Sequence, residues 1–148
     1  MENNFIPETE YIKIINQIPI FCVDFLIRCK DKNLLLKRTE EPVKGVYWVI
    51  GGRMRYNETL DQLAFRIQNR EIGRYINNRK LIGFSNYLFP KLEGHRATHT
   101  PSLLYLVSVD EIFEPEIDDT HLDFIWSENL PEELVKHTEF IEEFILKK

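Results

Sequence analysis

Apolar and polar positions change their spacing several times along the chain, and each change predicts an element. Tyr11, Ile14, Ile15 and Ile18 recur at helical spacing, which predicts an amphipathic helix from about Thr9 to Gln17 that Pro19 stops. Ile20 to Arg28 is β-branched and aromatic, Lys30-Asp31-Lys32-Asn33 is a polar turn, and Leu34 to Arg38 is apolar again. That pattern predicts a hairpin. Tyr47 to Ile50 reads as a short strand ended by Gly51-Gly52.

Leu60 to Ile72 has the apolar spacing of a helix, with Asn57 as its cap and Gly73 as its stop. Strands are expected at Lys80 to Phe89, Ser102 to Val109 and Asp123 to Trp126, with a His-, Thr- and Gly-containing loop from Pro90 to Pro101. A closing helix is expected from Pro131 to Leu146. Pro131 suits the first turn, and Glu132 and Glu133 complement the helix dipole. The order mixes strands and helices without a βαβ rhythm, so the class is α+β with a mixed sheet.

Composition narrows the picture. At 148 residues, with 43% hydrophobic and 29% charged, the chain can build a core, and one domain over 1–148 is expected. No repeat or low-complexity tract divides it. A net charge of -5 argues against a nucleic-acid coat. No apolar run is long enough for a membrane span, and Met1-Glu2-Asn3-Asn4 does not open a secretory signal, so a cytoplasmic location is expected. Cys22 and Cys29 stand an odd number of residues apart on one strand. They face opposite sides, cannot bridge each other, and read as core thiols.

Chemistry concentrates between Gly51 and Gly73. A strand ends in Gly-Gly, Arg53 follows, then Glu58 and a helix. Such a loop is either plain structure or a backbone cradle for an anion at a helix N-terminus. The helix adds a sharper feature. Leu60, Ala64 and Ile67 make a core stripe, and Glu71 is its next position. A carboxylate facing inward at the negative end of the helix dipole needs a cation. Arg66, Arg70 and Arg74 offer a structural ion pair; a divalent metal is the alternative.

The run Gly52, five residues, Glu58, seven residues, Arg66, then Glu71-Ile72-Gly73 resembles the Nudix signature G-x5-E-x7-R-E-U-x-E-E-x-G-U, with U a bulky aliphatic. Ile67 and Arg70 occupy the first two of its helical acidic positions, leaving Glu71 alone among them, and Arg74 takes the last aliphatic one. A single carboxylate does not hold a cluster of dications against their repulsion. That shortening resembles the GDP-mannose mannosyl hydrolase branch. The resemblance runs through Pro19, Asp24-Phe25, Leu35 to Thr39, Gly45, Tyr47-Trp48, Gly51-Gly52-Arg53, Glu58-Thr59-Leu60, His121 and Trp126. It implies the Nudix fold, a mixed β-sheet packed between α-helices in an α/β/α sandwich.

The resemblance also implies an activity: Mg²⁺-dependent attack of water on the anomeric carbon of GDP-mannose or a related GDP-sugar, releasing GDP and the sugar. Mn²⁺ is a possible substitute ion, and a homodimer is implied. Gly51 (by its carbonyl), Glu71 and Thr120 match the metal ligands, with Thr120 standing where the branch often carries glutamine. Arg38, Arg53 and Arg66 match arginines on the diphosphate, where a planar fork binds two oxygens; Arg66 has bracing of Glu58 as its other reading. His121 matches the general base, in a loop before the final strand. Asp24, a carboxylate on an apolar strand, orients the sugar or assists His121. The loop Lys91 to Pro101, with His95, Arg96, His99 and nearby Ser102, is placed at the sugar end. His137 reads as a surface residue. Tyr47 and Trp48 read as core or base-stacking residues. Two other activities stand beside this one: diphosphate cleavage, as in ordinary Nudix pyrophosphatases, and a degenerate domain that binds a nucleotide sugar without turnover.

Overall fold

A computed structural model describes residues 5–41, 43–91 and 97–141. Helix α1 (Glu8–Ile15) leads into β1 (Cys22–Cys29) and β2 (Lys32–Arg38), the expected hairpin, with Lys30 at φ 56° in its turn. β3 (Tyr47–Trp48) pairs with β2, and β4 (Ile50–Arg53) crosses to pair with β1. Helix α2 (Leu60–Ile72) follows, then β5 (Lys80–Phe89), β6 (Thr98–Ser108), β7 (His121–Ser127), α3 (Glu132–Lys136) and β8 (Thr138–Phe140). The strands form one sheet in the order β3-β2-β1-β6-β5-β8, with β4 on β1 and β7 on β2. β1 and β6 run parallel and the other pairs antiparallel, which makes the sheet mixed.

Alternation along β1 sends side chains to two cores. Val23, Phe25 and Ile27 pack with Leu63, Ala64, Ile67 and Ile72 of α2. Leu26 joins Leu35, Trp48, Ile82, Tyr87, Leu104 and Leu134 of α3 on the other face. Helices therefore cover both sides of the sheet. Trp48, buried edge-on against Tyr87, is a core residue; Tyr47 donates its hydroxyl to Asp123. Cys29 is buried, Cys22 half-buried, and both are free thiols.

Several boundaries differ from the sequence reading. Gly51-Gly52 lie inside β4 instead of ending a strand, because Gly51 pairs with Asp24, where a Cβ would run into the Asp24 carboxylate. Thr59, not Asn57, caps α2. Its hydroxyl accepts from Gln62 N–H, and the Gln62 side chain accepts from Thr59 N–H in return. Asn57 instead takes a positive φ in the preceding turn. β6 starts at Thr98, since that end of the predicted loop pairs with the far half of β5. α1 buries none of its residues, Ile14 and Ile15 included. The closing helix lasts only to Lys136. Thr138–Phe140 turn back along the edge of β5, which supplies ladder partners at Gly83, Phe84 and Ser85. His137, expected at the surface, caps α3, packs edge-on against Tyr87 and binds Glu133. His95, Arg96 and the stretch 142–146 of the predicted helix lie outside the described residues.

Candidate functional site

The end of α2 and the middle of β4 set the centre of the site. Thr59 starts the helix, and Gly73 at φ 73° stops it, so its last turn is held at a defined place. Glu71 lies in that turn with 4% exposure. Its Oε2 accepts the Gly51 N–H at 3.1 Å, and its Oε1 accepts from Arg70 at 3.0 Å. Burial raises the Glu71 carboxyl above its ordinary pKa, against the pull of Arg70, His121 and the Gly51 N–H.

Asp24 faces Gly51 across the β1–β4 pair and takes the Ser102 hydroxyl at 2.7 Å. Burial first, and the charge on Glu71 as well, push it up to about 7, against the Ser102 hydrogen bond and Arg38. Two buried carboxylates, one of them raised further by the charge of the other, favour a cation nearby. Among the described residues no three His, Cys, Asp or Glu side chains are grouped so that they could together hold a metal ion. The groups here that could hold one hard dication are the Glu71 carboxylate and the Gly51 carbonyl.

His121 lies within electrostatic reach of Glu71. It is the first residue of β7, paired with Arg38 of β2, instead of lying in the loop before the final strand, and is 8% exposed. Its Nδ1 meets Asp118 Oδ1 at 2.8 Å, which holds the proton on Nδ1 and leaves Nε2 as the acceptor. Burial works against the Asp118 charge, but bonds from Thr120 and His121 prevail and hold its carboxyl below the usual range. The Thr120 hydroxyl donates to Asp118 at 2.6 Å, and its carbonyl accepts from Thr39.

The arginines divide. Arg38 bears on Asp24 and Cys22. Arg53, next to Gly52, pairs with Cys22 in the β4–β1 ladder and lays its guanidinium over the Tyr11 ring at 5.1 Å. Arg66 is engaged with Glu58 at 2.6 and 2.9 Å and with the Arg53 carbonyl at 2.9 Å, the bracing alternative. His99 binds Asn86 on the β5–β6 ladder, outside the contacts that link the other residues. The structure therefore gathers Asp24, Arg38, Gly51, Glu71 and His121. Sequence reasoning missed two participants, Asp118 behind His121 and Tyr11 beneath Arg53; the Arg70–Glu71 contact is the structural ion pair offered as one reading of the arginines around Glu71. An acidic residue three before a candidate base was the only available signal.

No family model matches the chain. It is similar to the low-salt glycan biosynthesis protein Agl8 of Haloferax volcanii, 27% identical over 131 residues that span 78% of this chain and 84% of that protein. It is also similar to an ADP-ribose pyrophosphatase of Methanocaldococcus jannaschii, 25% identical over 135 residues, 86% and 73% of the two chains. Among solved structures it superposes on a MutT NUDIX hydrolase from Burkholderia pseudomallei with a TM-score of 0.66, at 20% identity, covering 81% of this chain and 95% of that one. The NUDIX domain of Shewanella oneidensis NrtR, complexed with ADP ribose, matches with a TM-score of 0.59 at 16% identity, over 82% of each chain. The chain has the Nudix fold, an α+β arrangement of a mixed sheet with helices. No helix among the described residues is long and apolar enough to cross a membrane.

Proposed function

We propose that this protein hydrolyses a nucleoside-diphosphate sugar of the GDP-mannose type, releasing the nucleoside diphosphate and the free sugar. The observation that carries this reading is the pairing of one buried carboxylate, Glu71 on the Gly51 N–H, with one imidazole, His121, backed by Asp118. That is the equipment for a single dication and a proton acceptor. When bound, Mg²⁺ (or Mn²⁺ in its place) neutralises charge on the departing diphosphate. His121 Nε2 takes a proton from water, the water oxygen bonds to the anomeric carbon, and the bond from that carbon to the β-phosphate oxygen breaks. Arg38 and Arg53 hold the diphosphate, Arg66 keeps the Arg53 backbone in place, and Asp24 takes sugar hydroxyls. Thr120, whose hydroxyl donates to Asp118, would contact the dication through water, and His99 is placed toward the sugar end. We extend the reading to one domain over 1–148, a homodimer and a cytoplasmic location.

A second reading is cleavage between the two phosphates. The relative named an ADP-ribose pyrophosphatase and the structural neighbour holding ADP ribose favour it. Hydrolysis of GDP-mannose in ¹⁸O-water with Mg²⁺ separates the two. Label in free mannose, with GDP as the other product, supports attack at carbon. Label in GMP or mannose 1-phosphate overturns it in favour of the pyrophosphatase. Binding without any product overturns both.

A further inference from the structure

Arg70 stands where the Nudix signature carries an acidic residue, and its position in space is as unusual as its identity. Its Nη2 donates to Glu71 Oε1 at 3.0 Å, and the same atom lies 3.6 Å from where a Cβ on Gly52 would sit. Its Nε is 3.9 Å from Asp118 Oδ2, the carboxylate that holds His121. One guanidinium thus lies over the Gly51–Gly52 strand, between the buried carboxylate and the carboxylate behind the histidine. Its side chain is 46% exposed, while Glu71's is 6% exposed. Arg70 can therefore swing away toward solvent; Glu71 cannot.

A carboxylate cannot give the same lone pairs to a guanidinium and to a dication at full strength, and the two cations repel each other in a site this closed. We propose that Arg70 is a protein-borne cation that competes with the metal for Glu71 and, once displaced, binds the diphosphate of the substrate. This inference rests on the metal assignment made above. In the absence of substrate Arg70 holds Glu71 and weakens metal binding. When a nucleoside diphosphate arrives with the metal, its oxygens give the guanidinium a new partner while completing the metal's coordination. Metal and nucleotide then bind cooperatively, each removing an obstacle to the other. Arg70 supplies positive charge that other Nudix sites take from additional ions.

Mn²⁺ binding followed by electron paramagnetic resonance, with and without GDP, tests this on the intact chain. Arg70→Gln keeps a polar side chain without the charge or the full reach, and Arg70→Lys keeps charge without the planar fork. Expected for Arg70→Gln is about tenfold tighter Mn²⁺ binding without nucleotide and a smaller gain in Mn²⁺ affinity on adding GDP. Arg70→Lys should fall between this variant and the wild type. Unchanged or weaker Mn²⁺ binding by Arg70→Gln, with its melting temperature retained, overturns the role given to Arg70. An undiminished effect of GDP overturns it too. Glu71→Gln separates the two levels of the argument. If it binds Mn²⁺ as the wild type does, the metal assignment fails and this inference with it. If it loses Mn²⁺ while Arg70→Gln gains nothing, only the role of Arg70 fails.

Discussion

Glu71 and Gly51 are joined side chain to backbone across twenty positions of sequence: the carboxylate at the end of α2 accepts the amide hydrogen at the middle of β4. Helix and strand are thereby locked at the point where the metal is assigned. Gly51 has no room for a side chain, since a Cβ would meet Asp24 and lie 2.7 Å from the Val23 carbonyl. Gly51→Ala is expected to cost about 2–3 kcal/mol in urea unfolding, because two backbones would have to separate. Glu71→Gln keeps the shape and removes a buried charge. It should fold with equal or higher stability and lose about a hundredfold or more in turnover. Equal turnover would remove Glu71 from the site.

His121 and Asp118 form a second linked pair, and the substitutions at each read different things. His121→Ala removes the proton acceptor and should lower turnover by about 10²–10⁴-fold at saturating substrate. Asp118→Asn leaves the imidazole in place but no longer favours the proton on Nδ1, so turnover should fall by less. Circular dichroism should show both variants folded. An Asp118→Asn enzyme as fast as the wild type would make the contact purely structural.

The Glu58–Arg66 pair supports the loop from a distance and carries a dependence on acid. Burial pushes the Glu58 carboxyl up, but Arg66, the Arg55 N–H and the Arg55 charge outweigh it and hold the group below its ordinary value of 4.5. A carboxylate held down in the folded state binds its proton more readily once unfolded. Its stabilising contribution is complete above about pH 4.5 and disappears as pH falls through the lower folded value. Thermal unfolding between neutral and acid pH should show a shallower acid-side decline for Glu58→Gln than for the wild type. Parallel declines in the two proteins would show that the pair contributes nothing to that slope.

How far the sequence disclosed this arrangement depends on how local each feature is. Helix α2 and strand β5 were legible to the residue, α2 because its apolar stripe and the glycine just past its end are local signals. Glu71 was legible for the same reason: its place on the stripe of Leu60, Ala64 and Ile67 demanded an inward carboxylate. The burial of His121 was not, because it follows from β7 lying against β2, a pairing between segments far apart in sequence. The end of α3 was also hidden. Nothing near Lys136 announces that the edge of β5 will take Thr138–Phe140 as a strand. An ion pair for Glu71 was legible, but which of Arg66, Arg70 and Arg74 makes it was not. Adjacent positions point to different faces, and only the length of the arginine lets its tip fold back to its neighbour.

Helix α1 supplies the last prediction, because it meets the site through one ring. It buries none of its residues, yet its Tyr11 lies under the Arg53 guanidinium at 5.1 Å. A cation on an aromatic face gains a fixed direction, and Arg53 sits one residue from the glycine pair where the diphosphate is assigned. Tyr11 touches no reacting group, so it acts on binding and not on the chemical step. Tyr11→Leu keeps apolar bulk without the ring face. It should raise KM for the nucleotide sugar by about two- to fivefold at unchanged kcat. Because α1 adds little to the core, the melting temperature should hardly move. A fall in kcat at constant KM would instead tie Tyr11 to the transition state. A fall in melting temperature with both constants preserved would make α1 a structural element with no bearing on the site.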